Sequence, residues 1–403
     1  MENRSYILAM NCGSSGIKFS LFSSDKLEAE LTGSVELADT AESHFNITSR
    51  NGMVLVNYPI AHQDIHTAVK EIVSWFHLNR QHYPLSAIGH RIVQGGPEHR
   101  RPCVIDADLL NSLQHWAYLA PNHLPDDIKV IKAFRKQFPD ALHVACFDTF
   151  FHRDMPDVAK YYALPSLYRD KGLIRYGFHG ISCEYIMNKL GTISPAITQK
   201  KVIVAHLGNG SSITAIQNGQ SVETTMGISP SGGILMGTRA GDIDPGVTLF
   251  LLKHENLTVT ELDDLLSKHA GLKALAGHSN MELLLAKEEN DTRSEEAVKA
   301  FCYQARKAIG ALTAALGGLD VLVFTGGIGQ HSARIRELIC EPLDFLGINL
   351  NPKANHQNRV LISAKGAKAK VYALATHEEQ IIASHTKQLL QQQTITDHDR
   401  TNH

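Results

Sequence analysis

The stretch ILAMNCGSSGIKFSL, beginning at Ile7, returns in altered form as VIVAHLGNGSSITAI, beginning at Val202. Each reads as an apolar strand, a glycine–serine turn and a second strand. No other feature restricts the fold as much. Two such units nearly half the chain apart point to two related domains facing each other. A third apolar run, VLVFTGGIG from Val321, also ends in glycines. Elsewhere strand-like runs alternate with helix-like ones. TAVKEIVSWFHL, IKVIKAF, VTLFLLKH and ELDDLLSKH carry apolar residues at three-to-four spacing. The clearest helix, EEAVKAFCYQARKAIGALTAAL, opens on acids and stops at Gly317–Gly318. The mixture is α/β. A length of 403 residues allows two or three domains, each with a real core. The polar tail QQQTITDHDRTNH is expected to fray.

The turns admit two readings. Glycine and serine are ordinary turn residues, and a hairpin needs nothing more. The first turn is not a Walker loop, which requires G-x-x-x-x-G-K-S/T opening a helix. Paired glycine-rich turns can also present backbone N–H groups to a polyanion, with glycine leaving room for a phosphate oxygen. Composition narrows the ligand. Net charge is −2, from 39 basic and 41 acidic residues, which leaves no basic field for nucleic acid. The N-terminus lacks a signal-peptide core, and no apolar run is long enough to cross a bilayer. Six scattered cysteines and no H-E-x-x-H motif point to reduced thiols in a cytoplasm and to no zinc site.

Four polar stretches are hard to explain by folding alone: GHRIVQGG with Arg91, FDTFFH with Asp148, YGFHG with His179 and MGTRAGDIDPG with Arg239. Singly, a buried pair or a solvated loop charge is the favoured reading of each arginine and aspartate, and a bonded core residue that of the histidine. Together they supply what phosphoryl transfer requires, which is positioning and positive charge around a loose transition state. Planar guanidinium forks suit phosphate and carboxylate. A carboxylate can hold magnesium with several waters retained.

At these residues the sequence resembles the acetate kinase family, which includes propionate kinases, from Ile7 to about Ala383. NCGSSGIK, GHRIVQGG, FDTFFH, YGFHG, HLGNGSS, MGTRAGDIDPG, FTGGIG and THEEQIIA carry the match. The resemblance implies an α/β chain of two duplicated actin-like ATPase (ribonuclease H-like) domains around a cleft. Residues 1–147 with about 380–403 would form the first lobe, closed by the C-terminal helix. Residues 148–379 would form the second, with the nucleotide site. The implied activity is reversible, in-line transfer of the γ-phosphoryl of ATP to a short-chain carboxylate such as acetate or propionate. Mg2+, or Mn2+ in its place, is the implied metal, ATP/ADP the nucleotide and a homodimer the assembly. Arg91 and Arg239 would bind the acyl carboxylate and the moving phosphoryl group. His179 would stabilise the transition state, and Asp148 would lie by the metal and the attacking carboxylate. Glu378 and Asn11 belong to the metal site. Asn11, Ser14 and Lys18 belong to the first phosphate turn; His206, Asn209, Gly210 and Ser211 belong to the second. Gly327 and Gly329 sit at the nucleotide. Val93, Phe178 and Pro230 line the acyl pocket.

The sequence departs from the family pattern at both specificity rims. Gly16 replaces the third serine of the first turn, and Gln94 replaces a histidine. Asn122, in APNHLP, stands where an apolar pocket residue is expected, so the pocket would be more polar. GHSNMELLL and GIGQH replace the adenine-side motifs, with Asn280 and Glu282 as candidates under a one-residue shift. Two alternatives follow: the same chemistry with another donor (a different nucleotide or pyrophosphate) or a more polar acid, and a nucleotide-binding module without catalysis.

Overall fold

The computed structural model describes residues 4–13, 16–36, 43–60 and 64–401, the side chains of 396–401 excepted. Ser14 lies outside the described residues. The chain divides into two compact units, Met1–Phe150 with His377–His403, and Phe151–Thr376.

Unit 1 is built on eight strands: β1 (Tyr6–Gly13), β2 (Gly16–Ser23), β3 (Ala29–Glu36), β4 (Ser43–Ser49), β5 (Val54–Ile60), β6 (Leu85–Ile92), β7 (Cys103–Val104) and β8 (Leu142–Phe147). Their order across the sheet is β5-β4-β3-β2-β1-β6-β8-β7. β1 is central, antiparallel to β2 and parallel to β6. That explains its near-continuous apolar sequence, because both of its faces are covered. Helix α1 (Ile65–Leu78) is capped by Asp64, whose carboxylate accepts from Thr67 N at 2.9 Å. It buries Ala68, Val69, Ile72 and Phe76, a three-to-four spaced stripe. Helix α2 (Leu124–Gln137) packs beside it. The C-terminal helix Glu378–Thr401 lies on β1, β6 and β8. It comes so close to β6 that a methyl at Gly89 would stand 2.2 Å from Thr386 Oγ1. The tail that was expected to fray continues this helix to Thr401. No proline or glycine interrupts it, and its Gln, Leu and Lys residues favour helix.

Unit 2 carries α3 (Gly180–Ile193), β9 (Lys201–Leu207), β10 (Ser211–Gln217), β11 (Gln220–Thr224), α4 (Pro245–Lys253), α5 (Thr292–Leu316), β12 (Val321–Thr325), α6 (Gly326–His331), α7 (Ala333–Cys340), α8 (Pro352–His356) and β13 (Lys370–Ala373). Its sheet order is β11-β10-β9-β12-β13. β11, β10 and β9 are antiparallel neighbours, and β9, β12 and β13 are parallel. The core of unit 1, β3-β2-β1-β6-β8, has the same order and the same directions. The repeat read in the sequence is therefore a repeat of topology. The long helix α5 starts at Asp291, which caps Ser294 N at 3.2 Å, and ends at Gly317 in the left-handed region. Val298, Phe301, Cys302, Ala305, Ile309 and Leu312 form its buried stripe. Truncating Phe301 would cost about 3–5 kcal/mol. Among the described residues no helix is long and apolar enough to cross a membrane. All six cysteines are free thiols.

Candidate active site

In unit 1 the hairpin and the polar stretches meet at the ends of β1, β6 and β8. Strand β6 ends by placing Arg91 beside the first hairpin. Its Nη1 donates to Cys12 O at 2.8 Å, and its Nη2 donates to Asp148 Oδ2 at 2.9 Å. Asp148 follows β8 directly, so two parallel neighbours present the pair. The Asp148 side chain is 1% exposed and that of Arg91 12%. Burial opposes the charge on Arg91, but Asp148 and Glu378 outweigh it and hold the guanidinium above its ordinary value. Arg91 Nε is buried without a hydrogen-bond partner.

Asn11 sits one residue before Cys12. Its side-chain amide donates to Glu378 Oε2 at 2.9 Å and to Glu379 Oε1 at 3.0 Å. Both glutamates open the C-terminal helix, so residues 367 or more apart in sequence converge here. Burial pushes the Glu378 carboxyl up to about 7; Arg91 opposes this, while Asp148 and Glu379 add to it. Crowded carboxylates of this kind are relieved by a cation, and Mg2+ needs only one or two of them beside substrate phosphates. Among the described residues no cluster of three metal-ligating His, Cys, Asp or Glu side chains forms. Lys18 is exposed on β2, opposite Asn11 in the register.

Val93 is buried, and its backbone N–H donates to Asp127 Oδ2 at 3.1 Å. Asp127 is a buried acid of α2 that the sequence reading passed over. Its burial pushes the carboxyl up to about 7, against the N–H of Val93 and the charge of Arg91, with Asp126 and Asp148 adding to the rise. Asn122 is half-buried in the turn before α2. Gln94 is fully buried, and its side-chain oxygen accepts from Gly96 N at 3.0 Å, bracing the loop after Arg91.

In unit 2 the second hairpin gathers a different set. His179 caps α3 with φ 55°, a left-handed conformation that costs most residues on the order of 1–3 kcal/mol. Its Nδ1 lies 2.9 Å from Ser212 Oγ, and its ring stacks on that of His206 at 4.1 Å. His206 Nδ1 lies 2.8 Å from Ser182 Oγ, and Ser182 donates to Thr376 Oγ1 at 3.0 Å. A methyl at Gly210 would stand 3.3 Å from Arg239 Nη1 and 3.4 Å from His179 Nε2. Arg239, His179 and the turn therefore share one small space. Arg239 Nη1 also donates to the carbonyl of the buried Pro230 at 3.2 Å. Asn209 lies against Gly237, whose N–H donates to Asn209 O at 3.1 Å. Ser211 is fully buried, and its hydroxyl braces the turn through Gly208 O at 3.0 Å and Gly208 N at 3.2 Å. Phe178 is buried, and its carbonyl lies 3.0 Å from Nε2 of the buried His152.

Gly327 and Gly329 lie on α6, directly after β12. The backbone of Gly327 comes near Gly208 of the hairpin. Asn280, the adenine-side candidate, caps the helix Met281–Lys287 by accepting from Glu282 N at 2.8 Å. Glu282 is exposed.

Of the unanticipated residues, Ser212 was adjacent to a named serine and Glu379 to a named glutamate. Ser182 reaches His206 across 24 residues, which no local spacing signals. Asp127 had no signal either, since it meets Val93 only through the fold.

A family profile described as Acetokinase family matches residues 6–384. An acetate kinase of Nitrobacter hamburgensis is 40% identical over 390 residues, covering 95% of this chain and 96% of that protein. A solved propionate kinase from Francisella tularensis has a TM-score of 0.87 at 33% identity, covering 95% of this chain and 99% of the other. The acetate kinase of Porphyromonas gingivalis gives 0.82 at 34% identity, covering 96% and 100%. The architecture is thus the duplicated actin-like ATPase fold. Within it, the chain belongs to the acetokinase family, phosphotransferases whose acceptor is a carboxyl group.

Proposed function

We propose that the protein transfers the γ-phosphoryl of ATP reversibly to the carboxylate of acetate or propionate, forming an acyl phosphate. One observation carries this. Each unit holds an arginine at its own glycine–serine hairpin, Arg91 on Cys12 O and Arg239 beside Gly210. The acceptor carboxylate is ionised at neutral pH, so no strong base is needed. The chemistry reduces to charge clamping and alignment. Arg91 and Arg239 take the carboxylate and the moving phosphoryl group. His179 donates a hydrogen bond to developing charge, its ring held by Ser212 and His206. Asn11 and Lys18, with Ser14, serve the first phosphate turn; His206, Asn209, Gly210 and Ser211 serve the second, with Gly327 and Gly329 at the nucleotide. Glu378, with Asn11 beside it, would hold Mg2+, which when bound neutralises phosphate charge, and Asp148 lies by the metal and the attacking carboxylate. Val93, Phe178 and Pro230 form the acyl pocket. Asp127 behind Val93 and the half-buried Asn122 favour a second reading, a more polar acid such as a 2-hydroxy acid.

A hydroxamate trap assay tests the reading, with acetate, propionate, butyrate and a 2-hydroxy acid against ATP, GTP and pyrophosphate. Acyl hydroxamate from acetate or propionate with ATP is expected. No product from any pair, with ATP still protecting the chain from proteolysis, would replace the kinase by a binding module.

The assembly implied by the family resemblance is a homodimer in the cytoplasm. Helix α4 supports the dimer. It buries none of its residues, and Val247, Leu249 and Phe250 are about half exposed. An apolar helix of this kind needs a cover, and a second copy supplies it. Sedimentation velocity showing only monomer at micromolar concentration would refute the dimer.

A further inference from the structure

Arg336 is among the largest fully buried side chains of the chain. It stands on α7, directly after the kink at Ser332 that separates α6 from α7. All five of its N–H donors are used. Nε donates to Asn355 Oδ1 at 2.8 Å. Nη1 donates to Gly329 O at 2.9 Å and Gln330 O at 2.7 Å. Nη2 donates to Asn355 O at 2.9 Å and Asn358 Oδ1 at 2.6 Å. Every acceptor is neutral, and no carboxylate shares the cradle. A buried charge without a counter-ion is costly, and it persists here because each donor finds an oxygen. Burial lowers the guanidinium to about 10, so it stays charged at neutral pH.

Two of these acceptors matter most. Gly329 O and Gln330 O are terminal carbonyls of α6, the kind of group a helix end leaves unpaired. Asn355 completes the frame by donating from Nδ2 to Ala333 O at 2.9 Å. One guanidinium thus ties the end of α6 to α7, α8 and the turn at Asn358. Lysine has three donors and no fixed plane, so it cannot span these five oxygens.

We infer that Arg336 is the positioning residue for α6, fixing Gly327 and Gly329 against the phosphoryl donor without touching it. The inference rests on the nucleotide reading of those two glycines. It assigns Arg336 to donor binding and not to the acid.

The test uses the full-length enzyme with Mg·ATP and acetate, measuring both KM values and kcat. Arg336→Lys is expected to raise the KM for ATP about tenfold and to leave the KM for acetate within twofold. Asn358→Gly removes one acceptor at a position whose φ of 48° glycine adopts freely, and it should raise the KM for ATP two- to threefold. If Arg336→Lys is insoluble, Asn358→Gly decides by the same criterion. Gly327→Leu is the control, because a Cβ there meets no protein atom within 4 Å. A rise in the KM for ATP with Gly327→Leu but none with Arg336→Lys or Asn358→Gly overturns the role of Arg336 alone. No effect from any of the three overturns the nucleotide reading of α6 beneath it. Equal rises in both KM values reduce Arg336 to a general structural part.

Discussion

The two units share a five-strand core order, yet they finish their first hairpin in opposite ways. In unit 1 the register closes at Gly13 opposite Gly16. Gly16 has φ 140°, and a methyl there would stand 2.1 Å from Val35 O, so β3 presses on the hairpin and no side chain fits. That is the physical reason for glycine where the family pattern has serine. In unit 2 the register closes at Leu207 opposite Ser211, a three-residue loop braced by a buried hydroxyl. Its Gly210 lies close against Arg239 and His179, where a methyl would stand 3.3 Å and 3.4 Å from their nitrogens. The arginines differ accordingly. Arg91 is locked into a buried ion pair, while Arg239 bonds a carbonyl beside a turn. One core topology thus supports a rigid charged socket in one unit and a strained imidazole with an adjacent guanidinium in the other.

The sharpest way to break this contrast is to remove each arginine. Arg91→Ala and Arg239→Ala should each lower kcat on the order of a thousandfold. Only Arg91→Ala should also unfold the protein more easily, by about 3–5 kcal/mol, because it strands the buried Asp148 carboxylate. Equal melting temperatures for the two variants would erase the distinction. A smaller effect comes from the turns. Gly210→Ala puts a methyl against Arg239 and His179 and should lower kcat about 10- to 100-fold, by the sensitivity of such sites to small displacements. Among the described residues, a methyl at Gly13 meets only Gly16 O at 3.7 Å, so Gly13→Ala should change kcat less than about twofold, since that contact is ordinary. Similar losses in both would show the hairpins to be equivalent.

The smallest effect belongs to Asp127. Its folded-state value is about 7 against an ordinary 3.8, so the folded state holds the proton more tightly than the unfolded chain. Stability must then fall as pH rises from about 4 to about 7. His90 and His143, both lowered by burial, act in the opposite sense as pH falls. Subtracting the melting curve of Asp127→Asn from that of the wild type isolates the Asp127 part, expected to be a fall of several degrees as pH rises through this range. A flat difference between pH 5 and pH 8 would remove the buried acid from the account.

How much of this was written locally explains what was legible. The two hairpins, α1 and the long α5 with its glycine stop all rest on contacts within a few residues, and periodicity and caps expose those. The named polar residues stood in motifs, but the resemblance put Asp148 and Glu378 in the second lobe, residues 148–379, whereas both belong to unit 1 with Arg91 and Asn11. The contacts that set their strength were not anticipated. Asp127 meets Val93 across 34 residues, and Arg336 meets Asn355 across 19 and Asn358 across 22. No spacing rule links such pairs. Ser211 shows the converse: a serine in a phosphate-like motif whose hydroxyl serves the turn itself. The resemblance gave the C-terminal helix, but its last turns, from Gln391, read as a fraying tail because they are polar, and a surface helix is polar on its outer face.

That helix has a consequence for biogenesis. Its Ile382 and Thr386 press against the strands laid down in the first 150 residues, and Glu378 and Glu379 complete the environment of Asn11. The strands of unit 2 are all made before residue 374. The sheet of the earlier-encoded unit therefore has one apolar face whose cover is encoded more than two hundred residues after its last strand, a pairing of high sequence separation that is closed late in folding.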